Sequence, residues 1–552
     1  MNEKELFEAI GEIDENTLSE SDTVSKKTFR PKWLAATAAA AAICIAAVNI
    51  IPRFPVETAE DSAVQSTDGS NDHSPVQDTI VDTITDSPLT DAVVQDAPTD
   101  KADVMLLGEA VYPKMSAYPL EADYDNSNDY YYAMDKHQDI LKAQANSGAE
   151  GYTEGYNEFC AATMTEFLTT DDDKNIVYSP LNLYMSLGML AEVTGGESRK
   201  QVLDVLGEGN NEVLREKVHS LWNSNYCNDG HYTSILSNSI WLSNRFGFNE
   251  STINTLAEKY YACSFSGEAG SDSFSEALRR WLNTSTGNLL KNESKKIQLS
   301  EDTAAALAST VNFYGQWDYK SGFNDKFTEP DIFTTASGEE ITVDFMYKWQ
   351  FYEPIFMGKN FTAVSSGIDS EEYNAGMWFI LPNEGVSVDE VIASADMQTM
   401  ICSDPNEIAY AEIYANNNNK PVGYYNPAGI TTELKELHTY APKFDITYQT
   451  DFIEKLTELG ITNATDPEKS DFSPLTEETG LFLSKAEQAV RVAIDEKGVS
   501  AASFVVLEIP ATGGYTEQPE VYNFILDRPF IFCITGNDNI PLFIGVVNNP
   551  TE

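Results

Sequence analysis

Two continuously apolar runs near the carboxyl end constrain the fold of this chain most strongly. They read RPFIFCI and PLFIGVV, and the turn TGNDN separates them. A strand with one face in water alternates apolar and polar residues, whereas an unbroken apolar strand is buried on both faces. The runs therefore predict two fully buried strands, and a chain of 552 residues is long enough to form one large core around them.

A second run, from Gly498 to Leu507, has the composition of a strand but leads into the glycine-rich stretch ATGG. It reads GVSAASFVVL, without charge or proline, and its β-branched valines favour an extended backbone. On a protein surface such a run is an aggregation hazard, because uncharged strand-formers pair readily with other strand edges. Its presence therefore needs a functional reason.

The charge balance limits the partners of this chain. It has 35 basic and 87 acidic residues, which gives a formal net charge of −52. Nucleic acid is therefore not an expected partner, because phosphate backbones would be repelled by most of the molecule.

The sequence shows no pattern typical of a metal centre or a catalytic site. Its six cysteines are widely spaced without a CxxC pair, and its five histidines form no HExxH motif. We also find neither GxSxG nor a glycine-rich phosphate loop. We therefore expect buried free thiols, no metal, no cofactor and no enzyme activity. The cysteines are Cys44, Cys160, Cys227, Cys263, Cys402 and Cys533.

An apolar run from Trp33 to Ile51 predicts a membrane anchor. It is long enough to cross a hydrocarbon core of roughly 30 Å at about 1.5 Å per residue. Four basic residues precede the run within residues 26–32 and only Arg53 follows closely, so residues 1–32 should be a cytoplasmic tail and the rest should lie outside the cell. A cleaved leader, which would give a secreted protein, and a buried alanine-rich helix are the alternatives.

Residues 52–148 are predicted to be an acidic linker rich in Ser, Thr and Asp, and partly disordered. The first half has almost no aromatic residues with which to build a core. Aromatic residues return between Leu106 and Leu141, and that segment receives no assigned role.

The globular domain, residues 149–552, opens with two predicted helices. Phe159, Met164 and Phe167 have nearly helical spacing in GYNEFCAATMTEFL. In the next helix Ser179 suits the N-cap and Pro180 the first helical position. Leu183, Leu187 and Leu190 form one stripe of that helix, and Gly195 and Gly196 should end it.

Six motifs in one order resemble the serpin family of serine protease inhibitors. The first is NIVYSPLNLYMSLGMLAEVTGGESRKQVLDVLG, and STVNFYGQWDYKSGF and MWFILPNEG follow it. APKFDITYQTDFIEKLTELGITNATDPEKSDFS, AIDEKGVSAAS and the pair RPFIFCI and PLFIGVVNNP complete the series. The resemblance extends from Gly155 to Glu552 and indicates a membrane-anchored member of prokaryotic type.

The resemblance implies an α+β fold with three β-sheets, of which the central sheet A is large, and eight to nine helices. It also implies an exposed reactive-centre loop at about residues 496–520. In this family a target protease attacks the loop as a substrate, and the cleaved loop then inserts into sheet A. The protease is carried along as a distorted acyl-enzyme, so a monomeric chain would act as a suicide substrate.

An inserted loop strand must lack proline and bury small or apolar side chains on one face. Period two places Val499, Ala501, Ser503 and Val505 on one face, which suits burial, and Phe504 on the other. By resemblance the hinge comprises Glu496, Gly498, Val499, Ala501, Ala502 and Ser503.

The scissile bond is predicted by counting along the loop. The attacked carbonyl in this family lies about sixteen residues after the hinge glutamate, which gives Thr512 followed by Gly513, with Ala511 and Ile509 as neighbouring candidates. These residues are uncharged, and a shallow elastase-like pocket accepts small aliphatic groups whereas a trypsin-like pocket requires Arg or Lys. An elastase-like serine protease is therefore the expected target.

Five further residues match positions where sheet A opens in the family. Trp317 corresponds to the point where the loop enters the sheet, and Gln488 stands where many members have histidine, within reach of a hydrogen bond to Asn312. Each could equally be a satisfied core polar group. The five residues are Ser179, Asn182, Asn312, Trp317 and Gln488.

Two other functions remain open. The chain could be a non-inhibitory serpin that acts as a binding or structural module, or it could inhibit cysteine proteases across classes. The small, uncharged hinge GVSAAS favours inhibition, because insertion requires such residues.

Overall fold

The computed structural model describes residues 104–169, 174–287, 297–319, 322–402, 424–425, 430–499 and 520–552, which all belong to one compact unit. The predicted anchor, and the loop with Ala501, Ala502, Ser503, Ile509, Ala511, Thr512 and Gly513, lie outside these residues. Within the described part, no helix is both long and apolar enough to span a bilayer.

The described residues contain ten α-helices. They are α1 Ser127–Ala145, α2 Tyr156–Leu168, α3 Pro180–Val193, α4 Gly196–Val205, α5 Asn211–Asn225, α6 Glu250–Lys259, α7 Asp272–Ser285, α8 Val388–Ile392, α9 Ala395–Cys402 and α10 Ile453–Glu458. Nine of them follow Gly155, in the region for which eight to nine were expected.

Eight strands form a mixed central sheet, which we call sheet A. Seven have the order β1-β5-β4-β6-β15-β14-β13, and β3 pairs with β4. Their bounds are β1 Val104–Gly108, β3 Cys227–Asn228, β4 Thr233–Ser243, β5 Ala262–Gly267, β6 Ala305–Gln316, β13 Phe444–Asp451, β14 Leu483–Asp495 and β15 Gly498–Val499.

The other ten strands form a second sheet. Eight have the order β11-β12-β8-β9-β10-β17-β18-β2, while β16 pairs with β12 and β7 pairs with β8. Their bounds are β2 Ile176–Tyr178, β7 Glu329–Thr334, β8 Glu340–Met357, β9 Phe361–Gly367, β10 Gly376–Pro382, β11 Tyr424–Tyr425, β12 Thr431–Pro442, β16 Val521–Ile525, β17 Phe530–Thr535 and β18 Pro541–Val547.

The described strands therefore form two hydrogen-bonded sheets rather than the three expected from the resemblance. The cause is the length of β8, whose 18 residues run through both parts of the second sheet. Most of β8 pairs with β12, and its last residues, Phe356 and Met357, pair with β9 as well. One continuous strand thus joins two layers that the resemblance treats as separate.

The buried carboxyl-terminal strands are confirmed. Every residue of β17 and β18 is buried, and the two strands pair with each other in antiparallel register. Helix α3 is also buried along its whole length, so the predicted leucine stripe is only one side of a helix enclosed on all sides. It begins as predicted, with the Ser179 side chain accepting a hydrogen bond from the Asn182 amide, and its C-cap is Thr194.

Residues 104–145, which the sequence analysis placed in the partly disordered linker, form part of the folded unit. Strand β1 pairs with β5 and so becomes the outer strand of sheet A. Helix α1 contacts α5 and is fixed by His137, whose Nε2 lies within hydrogen-bonding distance, 3.0 Å, of the buried Asp229 carboxylate. The feature of the sequence that could have predicted this folded segment is the return of aromatic residues after the polar linker.

Candidate functional site

The centre of sheet A contains a partly open slot between β6 and β14. These strands are parallel and paired where Leu483–Ala489 lie against Ala305–Thr310. Further along, β15 lies between them and pairs with both in antiparallel register. The first two residues of the predicted loop strand therefore already occupy one end of the slot.

Both residues of β15 fit this position closely. Val499 lies opposite Ile494 on β14 and Gly315 on β6, and only 1% of its surface is exposed. A Cβ atom on Gly498 would lie 2.2 Å from the Gly315 carbonyl oxygen and 2.7 Å from the Gln316 Cα. Because these contacts are to backbone, glycine is required at position 498. Val499, which the sequence analysis assigned to the buried face of the loop strand, is thus buried at this end of the slot.

Glu496 holds the turn that connects β14 to β15. Its carboxylate lies 2.7 Å from Lys443 Nζ and accepts a 2.6 Å hydrogen bond from the Thr328 hydroxyl. Partial burial alone would raise the pKa of Glu496, but the contacts with Lys443 and Thr328 outweigh it and hold the pKa below its ordinary value. The hinge glutamate is therefore an anchored, ionised group.

Trp317 fixes the same turn from the side of β6. Its indole Nε1 donates a 2.8 Å hydrogen bond to the Asp495 carbonyl, and its backbone amide donates to the Lys497 carbonyl at 3.0 Å. The ring is buried and packs edge-on against Phe323. The structure thus places Trp317 at the point where the loop enters the sheet, as the sequence analysis proposed.

Gln488 lies where β6 and β14 pair directly, and it connects that part of sheet A to helix α3. Its amide oxygen accepts a 2.9 Å hydrogen bond from the Ser179 backbone amide, and its amide nitrogen donates to the Ser179 carbonyl at 3.1 Å. The side chain is buried, and its backbone pairs with Ser309 on β6. The expected hydrogen bond to Asn312 is replaced in the described structure by these two bonds to Ser179.

The two asparagines of the predicted set are less closely engaged. Asn182 is fully buried on α3, and its side-chain amide has no hydrogen-bond partner among the described residues. Asn312 is half-buried on β6, opposite Ile235 of β4. Both therefore lie on elements that border the slot, but neither bonds to Gln488.

Lys443 and Thr328 were missed by the sequence analysis. Both contact Glu496, yet they are distant from it in sequence and belong to no spacing motif that could have identified them. Lys443 lies within APKFDITYQ, where a lysine directly before a strand-forming run was the only available signal.

Within the described parts of the chain, no cluster of three or more His, Cys, Asp or Glu side chains has the geometry of a metal site. The five cysteines found there are buried and unpaired. Burial raises the pKa of the Cys160 and Cys533 thiols, which makes them poor nucleophiles.

Comparison with known proteins agrees with this geometry. A sequence model of the family described as serpin, serine protease inhibitor, matches residues 154–550. Mouse neuroserpin is 25% identical over 420 residues, which cover 73% of this chain and 93% of that protein. A serpin-like protein of Methanosarcina acetivorans is 23% identical over 422 residues, which cover 72% of this chain and 88% of that protein.

Solved structures show the same fold. The native thermophilic serpin tengpin superposes with a TM-score of 0.60 at 24% identity, covering 73% of this chain and 95% of that one. Thyroxine-binding globulin in complex with thyroxine gives a TM-score of 0.58 at 21% identity, and the match covers 72% of this chain and 99% of that one. Since the family model alone spans far more than half of its residues, this chain belongs to the serpin family.

Proposed function

We propose that this chain inhibits serine proteases as a suicide substrate. The protease serine attacks the Thr512 carbonyl, the amine of Gly513 leaves, and Thr512 stays bound to the enzyme as an ester. Insertion of the cleaved loop into sheet A then distorts the protease before water can hydrolyse the ester. The observation that carries this proposal is β15, which pairs with both β6 and β14 at the end of the slot.

The register of β15 supports a continuous path for the rest of the loop. Val499 lies opposite Ile494 and Gly315, so an antiparallel continuation brings Ala501 opposite Val492 and Phe313. Both of these neighbours are buried. The same count brings Val505 between Gln488 and Ser309, which now pair directly with each other. Insertion therefore requires β6 and β14 to separate there.

The hydrogen bonds of the slot favour insertion of the loop. At present β6 and β14 share one parallel ladder along Leu483–Ala489. An inserted strand would replace that ladder with two, one on each side, and would bury the small face of the loop. Cleavage releases one end of the loop and so permits this gain. Full insertion from Val499 to Thr512 would span roughly 46 Å at about 3.3 Å per residue.

An elastase-like enzyme is the proposed target. Ile509, Ala511 and Thr512 are uncharged and small or aliphatic, which suits a shallow specificity pocket. A trypsin-like pocket contains a buried Asp that requires Arg or Lys, and the loop offers neither between residues 498 and 519. We further propose that the inhibitor acts as a monomer.

We also propose that residues 33–51 anchor the chain in the cell membrane with the inhibitory domain outside. The charge asymmetry around the apolar run supports this orientation. An anchored inhibitor would protect the cell surface from proteases that approach it. If the run is instead a cleaved leader, the same domain is secreted.

A non-inhibitory role as a binding module is the second candidate. It is favoured by the likeness in fold to thyroxine-binding globulin, whose structure contains bound thyroxine. The inhibitory and the binding role can be distinguished by one product, since only an inhibitor leaves a covalent complex with the protease.

The test is incubation of the full-length chain with pancreatic elastase, chymotrypsin and trypsin, followed by denaturing gels and mass spectrometry. We expect an ester-linked complex with elastase that survives denaturation and places the acyl bond at Thr512 or within two residues of it. Elastase with a blocked active-site serine is the control and should form no complex. Cleaved chain without any complex would instead assign the protein to the non-inhibitory class.

A further inference from the structure

One solvent-facing side of the second sheet exposes an unusual number of large apolar side chains. Three adjacent strands contribute to it, namely β8, β12 and the short edge strand β16. We call this surface the aromatic face. Its members are Tyr347, Trp349 and Phe351 from β8, Tyr440 from β12, and Val521 and Ile525 from β16.

The strand register brings these side chains together in rows. Tyr347 lies opposite Tyr440, which in turn lies opposite Ile525. In the next row Trp349 lies opposite His438. Residues directly opposite on one face of a sheet are in side-chain contact range, so the face is continuous across all three strands.

Contacts within the face hold its rings in place. The Tyr347 and Tyr440 rings lie 4.9 Å apart, and Trp349 and Phe351 form an edge-to-face pair at 4.9 Å. The Tyr347 hydroxyl lies 2.9 Å from His438 Nδ1, and the other ring nitrogen of His438 lies 3.1 Å from Glu436. The aromatic face is therefore pre-organised, which lowers the entropy cost of binding.

The exposure of these residues is high for their type. Trp349 is 50% exposed, Phe351 46%, Val521 51% and Ile525 39%. Single exposed apolar residues are normal, whereas several in one patch are typical of an interaction surface. Aromatic residues are also the side chains enriched at binding hot spots.

The rim of the face is acidic. Glu433 and Glu520 both pair with Lys435, at 3.0 and 2.6 Å, and Glu436 holds His438. Two carboxylates therefore flank Lys435, and a third lies against His438. A partner with an apolar patch and basic groups around it would complement this surface.

The position of the face relative to the loop indicates which partner this is. Strand β16 begins at Val521, nine residues after Thr512, so an extended chain from the scissile bond to β16 spans at most about 30 Å. A protease of roughly 230 residues has a radius of gyration near 17 Å and is roughly 45 Å across. An enzyme attached at the scissile bond must therefore lie close to β16.

We propose that the aromatic face is a second docking surface for the protease that attacks the loop. This rests on the proposed function and deepens it, because it assigns part of the target selectivity to residues outside the loop. The face binds the protease body through apolar contacts and raises the rate at which the scissile bond reaches the active site. It takes no part in loop insertion.

The test compares the wild-type full-length chain with the double variant Trp349→Ala, Phe351→Ala. The second-order rate constant of loop cleavage is measured with pancreatic elastase, chymotrypsin and subtilisin as probes. For the probe that reacts fastest with wild type, we expect the variant to react at least five-fold more slowly. The number of inhibitors consumed per enzyme inactivated should stay the same, because insertion is untouched.

A second variant, Val521→Ser with Ile525→Ser, changes the same face from the neighbouring strand and should show the same loss. The matched control is Tyr131→Ala, Tyr132→Ala, since these two rings are each 62% exposed but lie on α1, outside the sheet. The control should react like wild type, and all variants should keep the wild-type melting temperature.

The outcomes separate this proposal from the proposed function. Covalent complexes that form at wild-type rates in both face variants, with all three probes, overturn the docking surface and leave inhibition intact. Slower cleavage in the variants without any covalent complex in wild type supports docking and overturns inhibition. Faster cleavage in the variants would show that the loop itself covers the face, and a change in mass by analytical ultracentrifugation would show a second copy there. Either result also contradicts the proposal.

Discussion

Gln488 and Ser179 exchange two hydrogen bonds that join sheet A to the first turn of helix α3. The Ser179 carbonyl also accepts a bond from the Leu183 amide within the helix, whereas its own amide is bonded to Gln488. The pair therefore ties β14, a strand that would move in the proposed loop insertion, to a helix that is buried on all sides.

The first prediction concerns Gln488→Leu. This change leaves the buried Ser179 amide without a partner, which costs about 1–3 kcal/mol. We expect a lower melting temperature for the intact chain. The control is Gln449→Leu on the neighbouring strand β13, where the amide is only half-buried. Equal melting temperatures for the two variants would show that the bonds to Ser179 do not stabilise the fold.

The second prediction concerns Val499→Arg. Val499 is already buried between β6 and β14, so an arginine there must either bury an unpaired charge, at a cost of several kcal/mol, or displace β15 from the slot. We expect the intact variant to have a lower melting temperature, to be cleaved at the same bond and to form little covalent complex. The measurement is the number of inhibitors consumed per enzyme inactivated. Val499→Ala is the matched control and should trap nearly as well as wild type, and unchanged stoichiometry in the arginine variant would refute the insertion step.

The third prediction concerns acid stability and Glu496. Its pKa in the folded chain lies below the ordinary value of 4.5, so its contribution to stability is complete above that value and is lost as the pH falls through the folded pKa. Glu496→Gln should therefore lower the melting temperature at pH 6–7 and differ less from wild type as the pH falls below about 4. Glu520→Gln, at an exposed carboxylate, should change little at any pH. A difference that persists unchanged at low pH would contradict the role of the Lys443 contact.

The fourth prediction concerns the loop-cleaved chain. Insertion would add a strand of about a dozen residues and would replace one ladder between β6 and β14 with two, at a net gain of about 1 kcal/mol for each additional hydrogen bond. We expect the melting temperature to rise by about 10 °C or more after cleavage near Thr512. A chain cleaved with the same protease within its linker is the control. No rise after loop cleavage would favour the non-inhibitory alternative.

The fifth prediction concerns topology. Protease added to intact cells should digest the domain from Gly155 onward and leave the first thirty residues protected, because the basic residues before Trp33 hold that end in the cytoplasm. The measurement is the set of peptides released and retained, identified by mass spectrometry. A mature amino terminus just after Ile51 would show a cleaved leader instead.

Local features of the fold could be read from the sequence, whereas long-range contacts could not. The N-cap at Ser179 and the burial of Val499 follow from residue type and period, which are properties of a few neighbouring residues. The bonds of Gln488 to Ser179 join positions 309 residues apart. No single sequence identifies such a pair, because either side chain could find many other partners.

The folded part of the upstream segment was missed for a related reason. Helix α1 has a sequence rich in Asp and Tyr, and its polar side gives little sign of the three residues that it buries, His137, Leu141 and Ala145. Its attachment depends on the buried contact between His137 and Asp229 in the domain. The connection of the two parts of the second sheet through β8 could likewise not be predicted. It depends on how far one strand continues without interruption, which its composition does not reveal.

Strand β1 has a mechanical consequence. It is the outer strand of sheet A, and the described part of the chain begins with it. A pulling force applied to the chain at Val104 would therefore load the ladder between β1 and β5, at the border of the sheet that the proposed insertion would widen. In the proposed membrane-anchored inhibitor, a pull on the upstream chain and the insertion of the loop would therefore act on the same sheet, so that force on the anchor would change how readily the loop inserts.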